Sequence, residues 1–380
     1  MYFKDIIAPE DTKVLLHQMY QSNRIAHALF FAGPSGYGGL PLAIAYARML
    51  LSDKKDLSAD LKIDKLQHPD LHFSFPSAPT EKIKRATTSI DFLSQWREFL
   101  HQYPYGNLFN WLEYIEIENK QVQIGVEEAQ HIIKSLQIKS YEGGYKVLIM
   151  WMPERLHLAA ANKLLKILEE PPEKTVFLLV GEQEESLLPT LGSRMQIIRL
   201  KPLFLSQMQT LLQQRHGLSE KQALLISKRS EGQWGKALDL LKQTEESEFE
   251  VFFIQWMRNA FMARKKPMAL KALIEWSEAV HHWGREHQKQ FLDYALYIFR
   301  QALLSNYEME PINFNPLNSE KFNWKAFSKH VQGENIQDIF RDIHRASKDI
   351  ERNAYAKIVF LDLSIHIIGY LHQKNGSPPR

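Results

Sequence analysis

The sequence predicts an α/β domain built on a parallel sheet with flanking helices, then a small helical domain, then a longer helical bundle. Three observations predict it. Over residues 1–200 the apolar residues alternate between short continuous runs and stretches of helical period, the signature of strands joined by crossover helices. A glycine-rich loop separates the first such run from the helix that follows it. After Lys201-Pro202 the short runs stop and only helical period remains.

The elements follow in chain order. The run Ala28-Leu29-Phe30-Phe31-Ala32 reads as a buried parallel strand, and residues 41–51 after the loop read as a helix. Residues 52–80 mix charge, Pro and Ser, and are expected to be a surface insertion rather than part of the core. Further strands are expected at 114–117, 147–151, 176–180 and 196–200. Helices are expected at 126–138 and at 156–168, where Leu158, Leu164, Leu165 and Leu168 share one stripe. The α/β domain is thus placed at 1–201. Three short helical segments at 206–215, 219–227 and 234–242 make a small helical domain over 202–245. The acidic run Glu245-Glu246-Ser247-Glu248 marks its end. Residues 246–380 form the bundle, with helices through 291–305 and 338–372, before the turn-forming tail Asn375-Gly376-Ser377-Pro378-Pro379-Arg380.

Composition excludes several function classes. A chain of 380 residues is long enough for roughly two to three domains. Its 44% hydrophobic and 24% charged residues are those of a folded globular protein. Lys plus Arg number 47 against 44 Asp plus Glu, and the resulting +3 does not identify nucleic acid or membrane as a partner by bulk field. With no cysteine there is no disulfide, thiolate nucleophile, iron–sulfur cluster or cysteine-ligated zinc. No stretch reaches the ~20 uninterrupted apolar residues of a membrane span, so no membrane partner and a cytoplasmic location are expected.

The loop Gly33-Pro34-Ser35-Gly36-Tyr37-Gly38-Gly39-Leu40 lies between strand and helix, the geometry that aims backbone N–H groups and a helix dipole at a phosphate. Its frame fits a phosphate loop, G-x-x-x-x-G-K-[ST]. Gly39 stands where the lysine would be and Leu40 where the magnesium-binding hydroxyl would be. An ordinary glycine-rich turn is the alternative reading. Phosphate-loop ATPases also end a later strand in an acidic pair that holds magnesium and orients water. Here residues 147–151 run into Met152-Pro153, and Glu154 stands one place late, as a displaced carboxylate or an exposed loop acid. Both losses point to a nucleotide pocket that does not hydrolyse.

Four blocks carry a resemblance: Arg24-Ile25-Ala26-His27-Ala28, His68-Pro69-Asp70, Ala160-Ala161-Asn162-Lys163-Leu164-Leu165-Lys166-Ile167-Leu168-Glu169-Glu170-Pro171-Pro172 and Gly192-Ser193-Arg194. In order and spacing they resemble the delta-prime subunits of bacterial DNA polymerase III clamp loaders, members of the AAA+ family. The match is strong to about residue 240. Beyond it, residues 284–289 and Arg352-Asn353-Ala354 look like the family's helical collar. The resemblance implies an AAA+ core with a degenerate phosphate loop, a helical lid and an all-α collar. It implies a stator without intrinsic ATPase activity, part of a DNA polymerase holoenzyme, assembled with ATPase motor subunits and a delta subunit around primer-template DNA. The sliding clamp is then an indirect partner.

By the same resemblance, Ser193 and Arg194 match the family's Ser-Arg-Cys motif, whose arginine points at ATP bound by the neighbouring subunit; Met195 replaces the Cys. An arginine supplied in trans neutralises charge on the transferred phosphoryl group, and its fork binds oxygens as lysine cannot. Without the resemblance, Arg194 reads as a turn cap or a partner for a surface acid. Gly33, Gly36, Gly38 and Gly39 become an inactive loop, Gly181 stands where an active ATPase has a polar sensor, and Gly235 stands where motor subunits carry a sensor arginine. No cofactor is expected on this chain. No zinc is expected either, since His68 and His72 lack further ligands and the family's cysteine module is absent.

Lys163 and Lys166, with Arg155, Lys134 and Lys139, offer a basic face for a duplex backbone, and Ala161 and Asn162 are candidate N–H donors to phosphate. A solvated basic face is the alternative. Trp256, Trp276, Trp283, Tyr294, Tyr297 and Phe299 read as core rather than a stacking platform. Two rival functions remain: an active ATPase subunit of the same loader, or a stand-alone DNA-binding helical protein.

Overall fold

Strands form where continuous apolar runs can be buried on both faces. In the computed structural model, β1 (Ala28–Ala32), β2 (Leu71–Ser74), β3 (Lys146–Trp151), β4 (Thr175–Gly181) and β5 (Gln196–Arg199) make one parallel sheet in the order β2-β3-β4-β1-β5. β1 lies between β4 and β5, with Phe30 beside Leu179 and Ile197. The structure describes residues 1–372 except 53–56, 81–82, 118–119, 142, 243–247, 307–316, 318 and 320–321. Most of the acidic run at 245–248 and the tail at 375–380 lie outside the described residues.

Two expectations about the sheet are corrected. Residues 114–117 are not a strand: Asn107 caps a short helix that ends at Tyr114, and Glu116 turns the chain at φ +58°. The 52–80 stretch is not merely a surface insertion, because it supplies edge strand β2 and a helix. Two of its carboxylates are paired within the domain. The buried Arg48 guanidinium donates to Asp64 Oδ1 at 2.5 Å and to Tyr2 Oη at 2.7 Å. Buried Asp70 of the His-Pro-Asp block accepts from Ser140 Oγ and the Tyr141 N–H, both at 3.0 Å.

The helices of the α/β part are α1 (Glu10–Gln21), α2 (Gly39–Leu51), α3 (Leu57–Asp64), α4 (Leu93–Gln102), α5 (Leu108–Tyr114), α6 (Val126–Gln137), α7 (Leu158–Glu169) and α8 (Pro189–Gly192). Strand residues alternate between two cores. Leu29, Phe31, Ile149 and Leu178 face α2, α4 and α5, where Trp96, Phe99 and Trp111 cluster. Phe30, Leu148, Met150 and Leu179 face α6 and α7. Leu164 and Leu168 enter that second core, whereas Leu158 is 59% exposed and off the stripe, since it opens the helix rather than continuing it. Lys146 donates to the Leu136 and Ile138 carbonyls, closing the C-terminal end of α6 with a cation.

Three helices follow, α9 (Leu205–His216), α10 (Glu220–Ser230) and α11 (Trp234–Lys242). Gly217, at φ +64°, ends α9, and Ser219 and Gln222 form a capping box for α10. Met208, Leu212, Ala223, Trp234 and Ala237 share a small core with Ile7 of the N-terminal segment. These helices belong to one compact unit of residues 1–242, and a second unit begins at residue 243.

The second unit is all helical among its described residues: α12 (Glu248–Ala263), α13 (Pro267–His281), α14 (Arg285–Ser305), α15 (Trp324–Ser328), α16 (Gly333–Glu351) and α17 (Ala356–Leu371). The expected 338–372 segment is therefore two helices, divided at 352–355, where Asn353 takes φ +68°. Trp256 and Trp276 stack at 5.2 Å within the core, and Phe299 is buried. The buried Trp256 indole donates to Ser364 Oγ at 2.8 Å. Trp283, Tyr294 and Tyr297 pack against the same core from partly buried positions.

Candidate functional site

The phosphate-loop frame lies at the C-terminal edge of the sheet, where β1, β3, β4 and β5 discharge their loops. This is the usual position of an α/β site. Three of the loop's glycines pack closely on neighbouring segments. Gly38 adopts φ +87°, and a Cβ there would stand 2.6 Å from the Ile7 carbonyl oxygen. A Cβ on Gly36 would lie 3.0 Å from Gln233 Cβ and 3.3 Å from the Gly235 nitrogen. A Cβ on Gly39 would meet Val180 Cγ1 at 3.0 Å and Leu200 Cδ1 at 3.1 Å. Gly33 N–H donates to the Gly181 carbonyl at 3.0 Å, tying the loop's start to β4. The Tyr105 hydroxyl, whose pKa burial pushes up to about 12, accepts from the Ile7 N–H at 2.6 Å behind Gly38.

Gly235 is packed directly against main chain. A Cβ at this position would come within 2.7 Å of the Tyr105 carbonyl oxygen and 2.9 Å of Gly36 Cα. The first turn of α11 therefore rests directly on phosphate-loop backbone. No arginine could rise from this position without moving main chain.

Glu154 is not an exposed loop acid. Met152 turns β3 out of the sheet at φ +56° and leads into one short helical turn over 153–155. That turn directs Glu154 back under β4. Its Oε1 accepts from the Glu182 N–H at 3.1 Å, and Oε2 is buried without a hydrogen-bond partner. Gly181 makes the room, because a Cβ there would stand 2.4 Å from Glu154 Oε2. Burial, reinforced by the Glu182 charge, pushes the Glu154 carboxyl up to about 7. Glu182 in turn accepts from Ser35 Oγ at 2.5 Å, so an acid sits on the loop itself. A phosphate approaching Ser35 would meet this carboxylate.

The raised pKa makes a stability prediction. Between about 4.5, the ordinary value, and about 7 the folded state holds a proton that the unfolded chain has released. Stability therefore falls as pH rises through that window and levels above it. Glu154→Gln is expected to lose this slope in urea unfolding measured at about pH 5 and about pH 8. An unchanged slope would assign the titration to another group.

Arg194 lies between α8 and β5, far from this chain's own loop in sequence and held by its own contacts. Nη1 donates to the Thr190 carbonyl at 2.7 Å and lies 3.4 Å from Ser193 Oγ. Nε and Nη2 both point at Glu169 Oε2, at 3.3 and 3.2 Å. The Arg194 side chain is still 32% exposed. Ser193 Oγ closes the turn on the Thr190 carbonyl.

Lys134, Lys139, Lys163 and Lys166 are exposed, and Arg155 is half-buried. Ala161 does not offer its N–H to a phosphate: the helix begins at Leu158, Ala161 is buried, and its N–H donates to the His157 carbonyl at 2.9 Å. Asn162 lies deeper in the same helix, past the first turn whose N–H groups are free for capping. His68 is buried with its Nδ1 accepting from the Asp70 N–H, and burial lowers the His72 pKa. Among the described residues no cluster of three or more metal-ligating side chains occurs, and no helix is long and apolar enough to cross a membrane. Two participating residues, Glu169 and Glu182, were not assigned roles by sequence reasoning. Glu169 had a signal, a carboxylate at a helix C-terminus; Glu182 had none.

Residues 8–204 match the family model described as DNA polymerase III, delta subunit. DNA polymerase III subunit delta' of Yersinia pestis is 48% identical over 91 residues, 23% of this chain and 26% of that protein. The Escherichia coli subunit delta' is 28% identical over 225 residues, 59% of this chain and 57% of its own. The Bacillus subtilis subunit delta' is 24% identical over 295 residues, 76% and 75% of the two chains. The alignments thus span about a quarter and just over half of the first two relatives.

Proposed function

Because the chain belongs to the delta-prime family of DNA polymerase III subunits, we propose that it is a stator of a clamp loader. In this reading it hydrolyses no ATP itself and supplies Arg194 to the ATP of a neighbouring motor subunit. It assembles with motor and delta subunits, AAA+ core to AAA+ core and collar to collar, and helps to place a sliding clamp on primer-template DNA.

The observation that supports the reading is the closely packed glycine loop with an acid beside it. Gly39 and Gly235, the positions of the two cations a motor subunit would use, both face packed neighbours, and Glu182 adds a negative charge at Ser35. The Glu182 carboxylate at Ser35 disfavours a polyphosphate electrostatically. Arg194 supports the other half: its guanidinium is held by α7 and α8 while part of its surface stays open. A finger of this kind stabilises charge in the transition state and needs no nucleotide on its own subunit.

ATP titration of the isolated chain with magnesium tests the reading against an active ATPase subunit. No saturation in the micromolar range and no turnover are expected. Micromolar binding with turnover would make the chain a motor. Salt-dependent DNA binding, measured in parallel, separates the third possibility: a stand-alone DNA-binding protein binds tightly with a steep salt slope, whereas a stator binds weakly until assembled.

A further inference from the structure

The last turn of α7 carries two carboxylates, Glu169 and Glu170, at the end of the helix where the backbone dipole and unpaired carbonyls favour cations. Local helix stability gives no reason to place acids there. Glu170 is exposed, and no hydrogen bond or ion pair joins it to another described residue. Glu169 spans to Arg194, 25 residues later, and its Oε2 accepts from both Nε and Nη2.

The arginine is therefore fixed on two sides. Glu169 holds the Nε and Nη2 edge at 3.3 and 3.2 Å, and the Thr190 carbonyl holds Nη1 at 2.7 Å. A guanidinium carries five N–H donors, and the second hydrogen of Nη2 is left for an outside acceptor. The base of this mount is rigid. Glu169 ends a helix whose Leu164, Ile167 and Leu168 are buried under the sheet, and Pro171-Pro172 restrict the chain beyond it. A freely rotating arginine would have to lose its rotamer freedom on reaching a phosphate, whereas a mounted one has lost it beforehand.

We infer that Glu169 is a positioning residue that holds the Arg194 guanidinium in the orientation in which it meets the phosphate of a neighbouring subunit. The inference rests on the stator reading above. It gives the Leu-Glu-Glu-Pro-Pro run a task beyond ending a helix. The Glu169–Arg194 pair is partly exposed on both sides, 59% and 32%, so it adds little to the stability of the fold. Its consequence lies in orientation, where a misplacement of about 1 Å can cost up to about a hundredfold in rate.

The test uses a reconstituted loader containing the full chain with Glu169→Ala, Glu169→Gln, Arg194→Ala or the Glu169→Ala/Arg194→Ala pair. Turnover of ATP with primed DNA is measured for kcat and KM, with ring assembly and thermal unfolding followed in parallel. Glu169→Ala is expected to lower kcat by about tenfold with KM, assembly and unfolding temperature unchanged. Glu169→Gln, which keeps an acceptor oxygen, is expected to lose less. The double variant is expected to be no slower than Arg194→Ala alone, as for two residues acting through one group. The positioning role is overturned if Arg194→Ala slows the loader while Glu169→Ala equals the wild type, if Glu169→Ala speeds it, or if the two losses multiply. If Arg194→Ala itself has no effect, the stator reading fails first, and Glu169 falls with it.

Discussion

An assembled loader carrying Arg194→Ala is expected to turn over ATP with primed DNA at least about tenfold more slowly than the wild type, with the ring intact. A trans-acting arginine is typically worth about 10³–10⁵ in rate at the site it serves. The loss observed for a loader with several nucleotide sites is smaller, because turnover at sites that Arg194 does not reach continues. Arg194→Lys is expected to lose nearly as much, since an ammonium is a point charge without the fork that meets two phosphate oxygens. The loss should appear in kcat rather than KM, because the developing charge is largest in the transition state. Stability should hardly move: the contacts of Arg194 are to Glu169, Ser193 and the Thr190 carbonyl, all at a partly exposed site. An unchanged rate would leave Arg194 as a turn brace and reduce the chain's part to holding the ring together.

Gly235→Arg, which on the stator reading would put back a sensor arginine, is expected to damage the fold and to gain no nucleotide binding. The new Cβ would stand 2.7 Å from the Tyr105 carbonyl oxygen and 2.9 Å from Gly36 Cα, both of them main chain. Main chain cannot move aside as a side-chain tip can, so α11 would have to lift off the loop. That would open the small core of Trp234, Ala237, Met208 and Ile7. A cost of about 3 kcal/mol or more is expected from overpacking together with lost burial. For a unit of 242 residues this lowers the unfolding temperature by roughly 6 °C or more. Thermal unfolding and ATP titration of the variant check both halves. A variant as stable as the wild type that binds ATP would mean that the lid is loosely seated and that the missing arginine alone keeps the loop empty.

Both predictions depend on features of unequal legibility. The alternation of strand and helix was open to reading because each strand's run is continuous and both its faces are buried, as at Phe30-Phe31 and Leu178-Leu179. The glycine-rich turn after the first strand, with Gly39 opening the helix that follows, was equally plain. Strand β2 was missed because Leu71-His72-Phe73-Ser74 is short and sits in a stretch rich in charge and Pro; only pairing with β3 makes it a strand. The run at 114–117 misled for the opposite reason. Its residues have strand propensity, but the Asn107 cap and the burial of Trp111 extend a helix into it.

The sequence by itself determined the class of the first domain, the helical character of the rest, the absence of cysteine chemistry and the glycine-rich turn between the first strand and its helix. Each of these is carried by residue types and by spacings of a few positions, the range over which helix and strand periods operate. Only the tertiary structure decided that Glu154 Oε2 packs against Gly181, that Glu182 reaches Ser35, that Gly235 rests on Gly36 and that Glu169 accepts from Arg194. Those partners lie between 25 and 199 residues apart, brought together by a parallel sheet whose strand order differs from its chain order. Local periodicity says where a side chain points on its own element, and the crossover connections choose what it meets.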